Sequence, residues 1–177
     1  MNSIKQIEVI YNNRLVGRLA LTREGLCAFE YSAEWLSSGF SISPFELPLR
    51  SGVFIAKPRP FEGGFGVFDD CLPDGWGLLI LDRYLQQKGI NPRALTLLDR
   101  LALVGSSGRG ALEFRPDHSV VTRQDYADFE KLALEAERIL DSDEYKGEGI
   151  EEFQDRGGSP GGARPKIFAR YEGKEWL

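Results

Sequence analysis

The strongest constraint on this chain lies in its first twenty residues. Gln6-Ile7-Glu8-Val9-Ile10-Tyr11 and Leu15-Val16-Gly17-Arg18-Leu19-Ala20 are two β-prone runs separated by Asn12-Asn13. Asparagine tolerates the positive φ that two-residue hairpin turns demand, so the pattern predicts a tight antiparallel hairpin at the N-terminus. A third strand is expected over Leu26–Tyr31, after a turn at Arg23-Glu24-Gly25. Ser32–Ser38 reads as a short helical turn, with Ser32 as its cap and Gly39 as its stop. Pro44, Pro48, Pro58 and Pro60 keep residues 40–65 extended or looped, with Gly52–Ala56 as a possible further strand.

The middle of the chain changes period. A helix starting at Asp74 or Gly75 runs to Gln87, with Leu78, Leu81 and Leu85 at helical spacing, and Lys88-Gly89 ends it. Asn91-Pro92 supplies a cap and a first-turn proline for a helix that buries Leu95, Leu98 and Leu101 beside Ala102 and ends near Gly105. Ala111–Phe114 is a short strand. Asp125–Leu140 is amphipathic, with Tyr126, Phe129, Ala133, Ala136 and Leu140 assigned to one face, the signature of a core-packed helix. The fold class is therefore α+β: an antiparallel β subdomain over about residues 1–145, packed with several helices.

From Lys146 the composition shifts to glycine and acidic residues and reads as a linker. It leads into Gly157-Gly158-Ser159-Pro160-Gly161-Gly162-Ala163-Arg164-Pro165-Lys166. Glycines let backbone N–H groups approach a ligand without Cβ obstruction, and a concave set of such donors suits a phosphate. Lys166 would add a point charge. The run is neither a Walker A loop nor a G-x-G-x-x-G fingerprint, and on chemistry alone a flexible linker explains it equally well. Beyond it, alternation through Ile167, Ala169 and Tyr171, a turn at Glu172-Gly173-Lys174 and a return at Glu175-Trp176-Leu177 predict a hairpin. A chain stopping inside its second arm is expected to continue.

Composition excludes several classes of function. The net charge of −5 disfavours a general polyanion-binding surface. No apolar run approaches the roughly 20 residues that span a bilayer, and no export signal opens the chain. Cys27 and Cys71 sit in unrelated contexts and His118 stands alone, which disfavours a zinc site and fits reduced thiols in a cytoplasmic protein. Asp69, Asp70 and Asp74 read as carboxylates serving a turn and a helix start, and Trp35, Trp76 and Trp176 as core anchors.

Three segments, in order, resemble the HipA family of bacterial serine/threonine kinases. Phe68-Asp69-Asp70-Cys71-Leu72-Pro73-Asp74-Gly75-Trp76-Gly77 is similar to its Leu-Pro-acidic-Gly signature. Residues 101–116, with Gly105-Ser106-Ser107-Gly108-Arg109-Gly110-Ala111-Leu112, resemble its glycine turn and Gly-Ala-Leu strand. Ser159-Pro160-Gly161-Gly162-Ala163-Arg164-Pro165-Lys166 resembles its Ser-x-x-Gly-Ala-x-x-Lys phosphate loop.

The resemblance implies that Gly161, Gly162, Ala163, Arg164, Pro165 and Lys166 line the phosphates of ATP and that Ser159 is autophosphorylated. It implies Mg²⁺ and ATP as cofactors of the full-length kinase, with neither held tightly by this chain. A DNA-binding antitoxin of the HipB type is the implied partner, making the kinase the toxin of a toxin–antitoxin pair whose substrate is a protein hydroxyl. Residues 146–177 would then be linker, phosphate loop and the first hairpin of a kinase-like N-lobe. The strand lysine, catalytic aspartate and metal ligands would lie beyond Leu177, so the isolated chain is expected to be inactive. The other reading is a non-catalytic module that binds a separate kinase or antitoxin.

Overall fold

The computed structural model describes residues 3–108, 110–119, 129–141, 150, 151, 153 and 162–166. It divides into two compact units, Met1–Leu72 with Leu95–Ser119, and Pro73–Ala94 with Val120–Leu177. Each has its own apolar core.

The first unit is built on a five-stranded antiparallel sheet. Strands β1 (Gln6–Tyr11), β2 (Arg14–Leu21), β3 (Cys27–Tyr31), β4 (Val53–Ile55) and β5 (Leu112–Arg115) lie in the order β4-β3-β2-β1-β5. The expected hairpin turn is present: Asn12 and Asn13 both take positive φ, 47° and 60°. Beside it the register slips. Val9 faces Gly17 but Ile10 faces Leu15, so Val16 is an extra residue on β2. Such a bulge frees a strand from strict alternation, and Val16 and Leu19 are both fully buried. Helix α1 (Ala33–Ser38) starts as its sequence predicts, the Ser32 hydroxyl accepting from the Trp35 N–H at 3.1 Å.

Helix α2 (Gly66–Asp69) carries Phe68, which is completely buried. Its ring centroid lies 5.5 Å from that of Phe29, 6.1 Å from Phe65 and 6.4 Å from Phe114. The phenylalanine that opens the first signature segment is thus a hub of the sheet's core. Tyr31 is buried as well and satisfied, its hydroxyl donating to the Leu47 carbonyl at 2.6 Å and accepting from the Ile42 N–H at 3.2 Å.

Residues 91–105 fold differently from the sequence expectation. Asn91 does not cap the long helix. Its side chain accepts from the Arg93 N–H at 3.0 Å, an Asx turn that yields only a 3-10 turn, Pro92–Ala94. The helix α4 (Leu97–Val104) is capped instead by Thr96 in a reciprocal box with Asp99. Leu98 and Leu101 enter the sheet's core, Leu95 is only half-buried, and Gly105 ends the helix as expected. A capping box satisfies two orphan donors at once, which a lone Asn followed by Pro cannot match.

The second unit contains α3 (Gly75–Gln87) and α5 (Phe129–Asp141). Trp76 and Ile80 of α3 share a core with Leu132, Ala136 and Ile139 of α5 and with Ile150 and Phe153. Leu81 and Leu85 are buried, but Leu78 is exposed. In α5 the buried stripe is Leu132, Ala136 and Ile139, whereas Ala133 and Leu140 face solvent. The two stripes share Ala136 and are otherwise one residue apart, and the buried one places Leu132 rather than Ala133 in the core. Tyr126 lies outside the described residues. Residues 150, 151 and 153, within the stretch read from composition as linker, are helical. The Trp76 and Phe153 rings meet edge to face at 5.3 Å, and Lys88 Nζ pairs with Glu151 Oε1 at 2.7 Å. The hairpin expected over 167–177 lies outside the described residues.

Candidate functional site

Of the glycine run, Gly162, Ala163, Arg164, Pro165 and Lys166 are among the described residues; Ser159 and Gly161 lie outside them. Gly162 has φ +85°, a conformation that disfavours any residue with a Cβ. Residues 162–165 are exposed and Lys166 is half-buried. The Lys166 ammonium folds back on the turn, 3.1 Å from where a Gly162 Cβ would stand. A bare glycine backbone with Arg164 and Lys166 in one five-residue stretch is a donor set suited to a phosphate.

The loop is seated on the start of α3. An α-helix leaves its first N–H groups without intrahelical partners, and an N-cap side chain ordinarily accepts from one of them. Asp74 occupies the N-cap position but makes no such bond. The Trp76 N–H donates instead to the Gly162 carbonyl at 2.8 Å. The Asp74 carboxylate turns to the loop and accepts from the Gly162 N–H at 3.2 Å. Both polar groups of the Gly162 residue are therefore held by Asp74-Gly75-Trp76.

Gly75, between the two partners, has φ +44°. A Cβ there would overlap the Gly162 carbonyl and come within 2.8 Å of the Ala163 nitrogen. The capping role expected for Asp74 is thus replaced by loop anchoring. The sequence resemblance marked both segments, but not that they touch; the signal available was a glycine in the first helical position, where the helix itself has no use for one.

The remaining candidates serve structure. Asp69 lies in the first turn of α2 and Asp70 closes that helix; burial, with the charges of Asp70 and Glu62, raises the Asp69 carboxyl. An open hollow of about 430 Å³ in the first unit is lined by Val67, Asp70, Cys71, Gly110, Ala111 and Leu112, none of them a residue expected to bind nucleotide. Cys27 and Cys71 are free thiols, both pushed up to about 11 by burial, Cys71 further by Asp70. Thiols so placed stay protonated at neutral pH and are poor nucleophiles.

In the Gly105 turn, Asp117 accepts from the Ser106 N–H at 3.0 Å and the Ser119 N–H at 2.9 Å, which fixes the return to β5. The His118 N–H donates to the Ala102 carbonyl at 2.8 Å. Among the described residues no helix is long and apolar enough to cross a membrane, and no three His, Cys, Asp or Glu side chains are grouped to hold a metal ion.

Comparison with known proteins agrees with this architecture. The fold is similar to that of a chain in the Shewanella oneidensis MR-1 toxin–antitoxin complex of HipA, HipB and operator DNA, with a TM-score of 0.56 and 22% sequence identity. The similarity covers 96% of this chain and 37% of that chain, so the present sequence spans little more than a third of its length. No curated protein matches the sequence. The family model described as the HipA N-terminal domain matches residues 7–115, which takes in β1 from its second residue, β2 to β5 and helices α1 to α4. With well over half of the chain matched, the chain belongs to the HipA N-terminal domain family.

Proposed function

We propose that this chain is the N-terminal portion of a HipA-type serine/threonine protein kinase, the toxin of a toxin–antitoxin pair. The observation that carries the reading is the family match over residues 7–115, followed in the same chain by a phosphate-suited loop at Gly162–Lys166. Gly161, Gly162, Ala163, Arg164, Pro165 and Lys166 would line the phosphates of ATP, with Mg²⁺ supplied to the full-length protein. Bound ATP supplies the transferable phosphoryl group. The chain's own part is to present backbone N–H groups and the cations Arg164 and Lys166 to charge on the phosphates. Phosphoryl transfer depends on positioning and on charge neutralisation by metal and basic groups, and the aspartate, lysine and metal ligands for that work belong, on this reading, beyond Leu177.

The boundary near residue 145 between an N-terminal subdomain and the start of a kinase-like domain is part of the same proposal. So is a cytoplasmic HipB-type antitoxin partner, supported by the similar fold in the HipA–HipB–operator complex. Such a partner would carry the DNA contacts for which a chain of net charge −5 is poorly suited.

The test uses labelled ATP with Mg²⁺ and a protein substrate. The full-length protein should incorporate label at a serine or threonine, and the 177-residue chain should give background only. Transfer by the purified short chain, or none by the full-length protein, refutes this division of labour.

A further inference from the structure

The geometry points to Asp74-Gly75-Trp76 as a latch that positions the phosphate loop, with Asp74 and Gly75 as its positioning residues. The inference rests on the reading of Gly162–Lys166 as that loop. It comes from the two opposed hydrogen bonds at Gly162: its carbonyl accepts from the Trp76 N–H at 2.8 Å and its N–H donates to Asp74 Oδ1 at 3.2 Å. A residue bonded on both sides has its φ and ψ fixed, and Gly162 is the residue at which the loop turns, at φ +85°.

Trp76 is 1% exposed and packs on Phe153, so the donor that receives the loop is fixed to the second unit's core. Gly75 makes the seat possible, because the Gly162 carbonyl occupies the space a side chain at 75 would need. The Asp74 carboxylate adds a bond that orients the amide, and it also brings a negative charge to the loop's edge. An anion is therefore steered away from the Gly162 N–H and toward Arg164 and Lys166. On this view the first signature segment holds the third.

A latch of this kind lowers the conformational entropy that a phosphate would otherwise have to remove from the loop, so its loss weakens binding without touching the ligand. Three variants in the full-length protein test it: Asp74→Ala, Asp74→Asn and Gly75→Ala. Asp74→Ala changes an exposed residue and leaves the fold intact. It should raise the Kd and KM for Mg·ATP by about three- to tenfold, with kcat and the KM for protein substrate changed less than twofold. Asp74→Asn keeps an acceptor oxygen and should recover most of that loss. Gly75→Ala, excluded by both the overlap and the positive φ, should weaken ATP binding by on the order of tenfold or more.

Trypsin provides a readout independent of nucleotide. Cleavage after Lys166 should accelerate by about the same factors in Asp74→Ala and Gly75→Ala when no ATP is present. Unchanged cleavage after Lys166 in both variants overturns the latch. Lys166→Ala serves as the control for the underlying reading. If it abolishes ATP binding while the latch variants bind normally, the latch is wrong and the loop assignment survives. If Lys166→Ala binds ATP normally, the loop assignment fails and the positioning role falls with it.

Discussion

Replacing Asp99 by alanine should be the most costly single polar substitution in the first unit, and the structure says why. Asp99 is 3% exposed and both its carboxylate oxygens are used. Oδ1 accepts from the Ile4 N–H at 3.0 Å, and Oδ2 from the Thr96 N–H at 2.9 Å and the Thr96 hydroxyl at 2.7 Å. One side chain thus closes the capping box of α4 on Thr96 and ties the approach to β1 to that helix. Loss of the Thr96 hydroxyl's bond to the carboxylate costs about 1 kcal/mol. Leaving part-buried N–H groups without acceptors costs about 1–3 kcal/mol more. The expected sum is about 2–4 kcal/mol, which in urea lowers the midpoint by roughly 1–2 M.

The same substitution has a pH signature. Burial pushes the Asp99 carboxyl up, but the bonds from Ile4 and Thr96, with the charge of His118, outweigh it and hold the group below its ordinary 3.8. A carboxyl depressed in the folded state contributes stability that is complete above its unfolded value and is lost as pH falls through its folded value. The gap between wild type and Asp99→Ala should therefore be flat from pH 7 to 5 and close below about pH 4. The assay is urea unfolding by circular dichroism across that range, with exchange of the Ile4 and Thr96 amides followed by NMR. A gap below about 0.5 kcal/mol at pH 7, within the range of ordinary surface changes, refutes the argument. So does a gap that stays constant to pH 3, or an Ile4 amide as protected in the variant as in wild type.

Two further predictions concern the second unit and the loop. Phe153→Ala removes a side chain 2% exposed and in contact with Trp76, and should cost about 3–5 kcal/mol by urea unfolding; a loss under 1 kcal/mol would show that this core is not packed as described. Phosphorylation of Ser159 in the full-length protein would set about two negative charges beside a polyphosphate. Calorimetry should then find ATP affinity collapsed, Ser159→Asp should show a weaker loss, and Ser159→Ala should bind ATP normally without inactivating itself over time. Equal affinities for the modified and unmodified forms would refute the role assigned to Ser159.

The sheet was legible because its determinants are local. Two asparagines at the turn, β-prone runs on either side and a serine before α1 each act within a few residues, and each appears where those residues imply. The Val16 bulge was not legible, because a slip in register depends on which of two alternations finds a core, and that core is supplied by Phe68, Leu98 and Phe114 from distant sequence. Residues 91–105 misled for a related reason. Asn-Pro is a good local start signal, but Thr96 with Asp99 is a better one, and Asp99 is further committed by Ile4, 95 residues away. The face of α5 was ambiguous because apolar residues at 132, 133, 139 and 140 draw two overlapping stripes, and only packing against Trp76 and Ile80 decides between them.

The candidate site shows the same limit from the other side. Its parts were recognisable as segments, since both the Leu-Pro-acidic-Gly stretch and the glycine run carry residues with special backbone demands. Their contact spans 88 residues and follows no period, so no pattern within either segment announces it. Yet one residue was out of place on local grounds. Asp74 followed by glycine begins a 13-residue helix whose first position any good helix former could fill. Glycine there costs backbone entropy, up to about 1 kcal/mol in a helix interior, and gives the helix nothing in return. The positive φ at Gly75 and the Gly162 carbonyl lying where its side chain would be supply the missing reason. A glycine that weakens its own helix is explained by what approaches it, and here that is the loop to which phosphate binding is assigned.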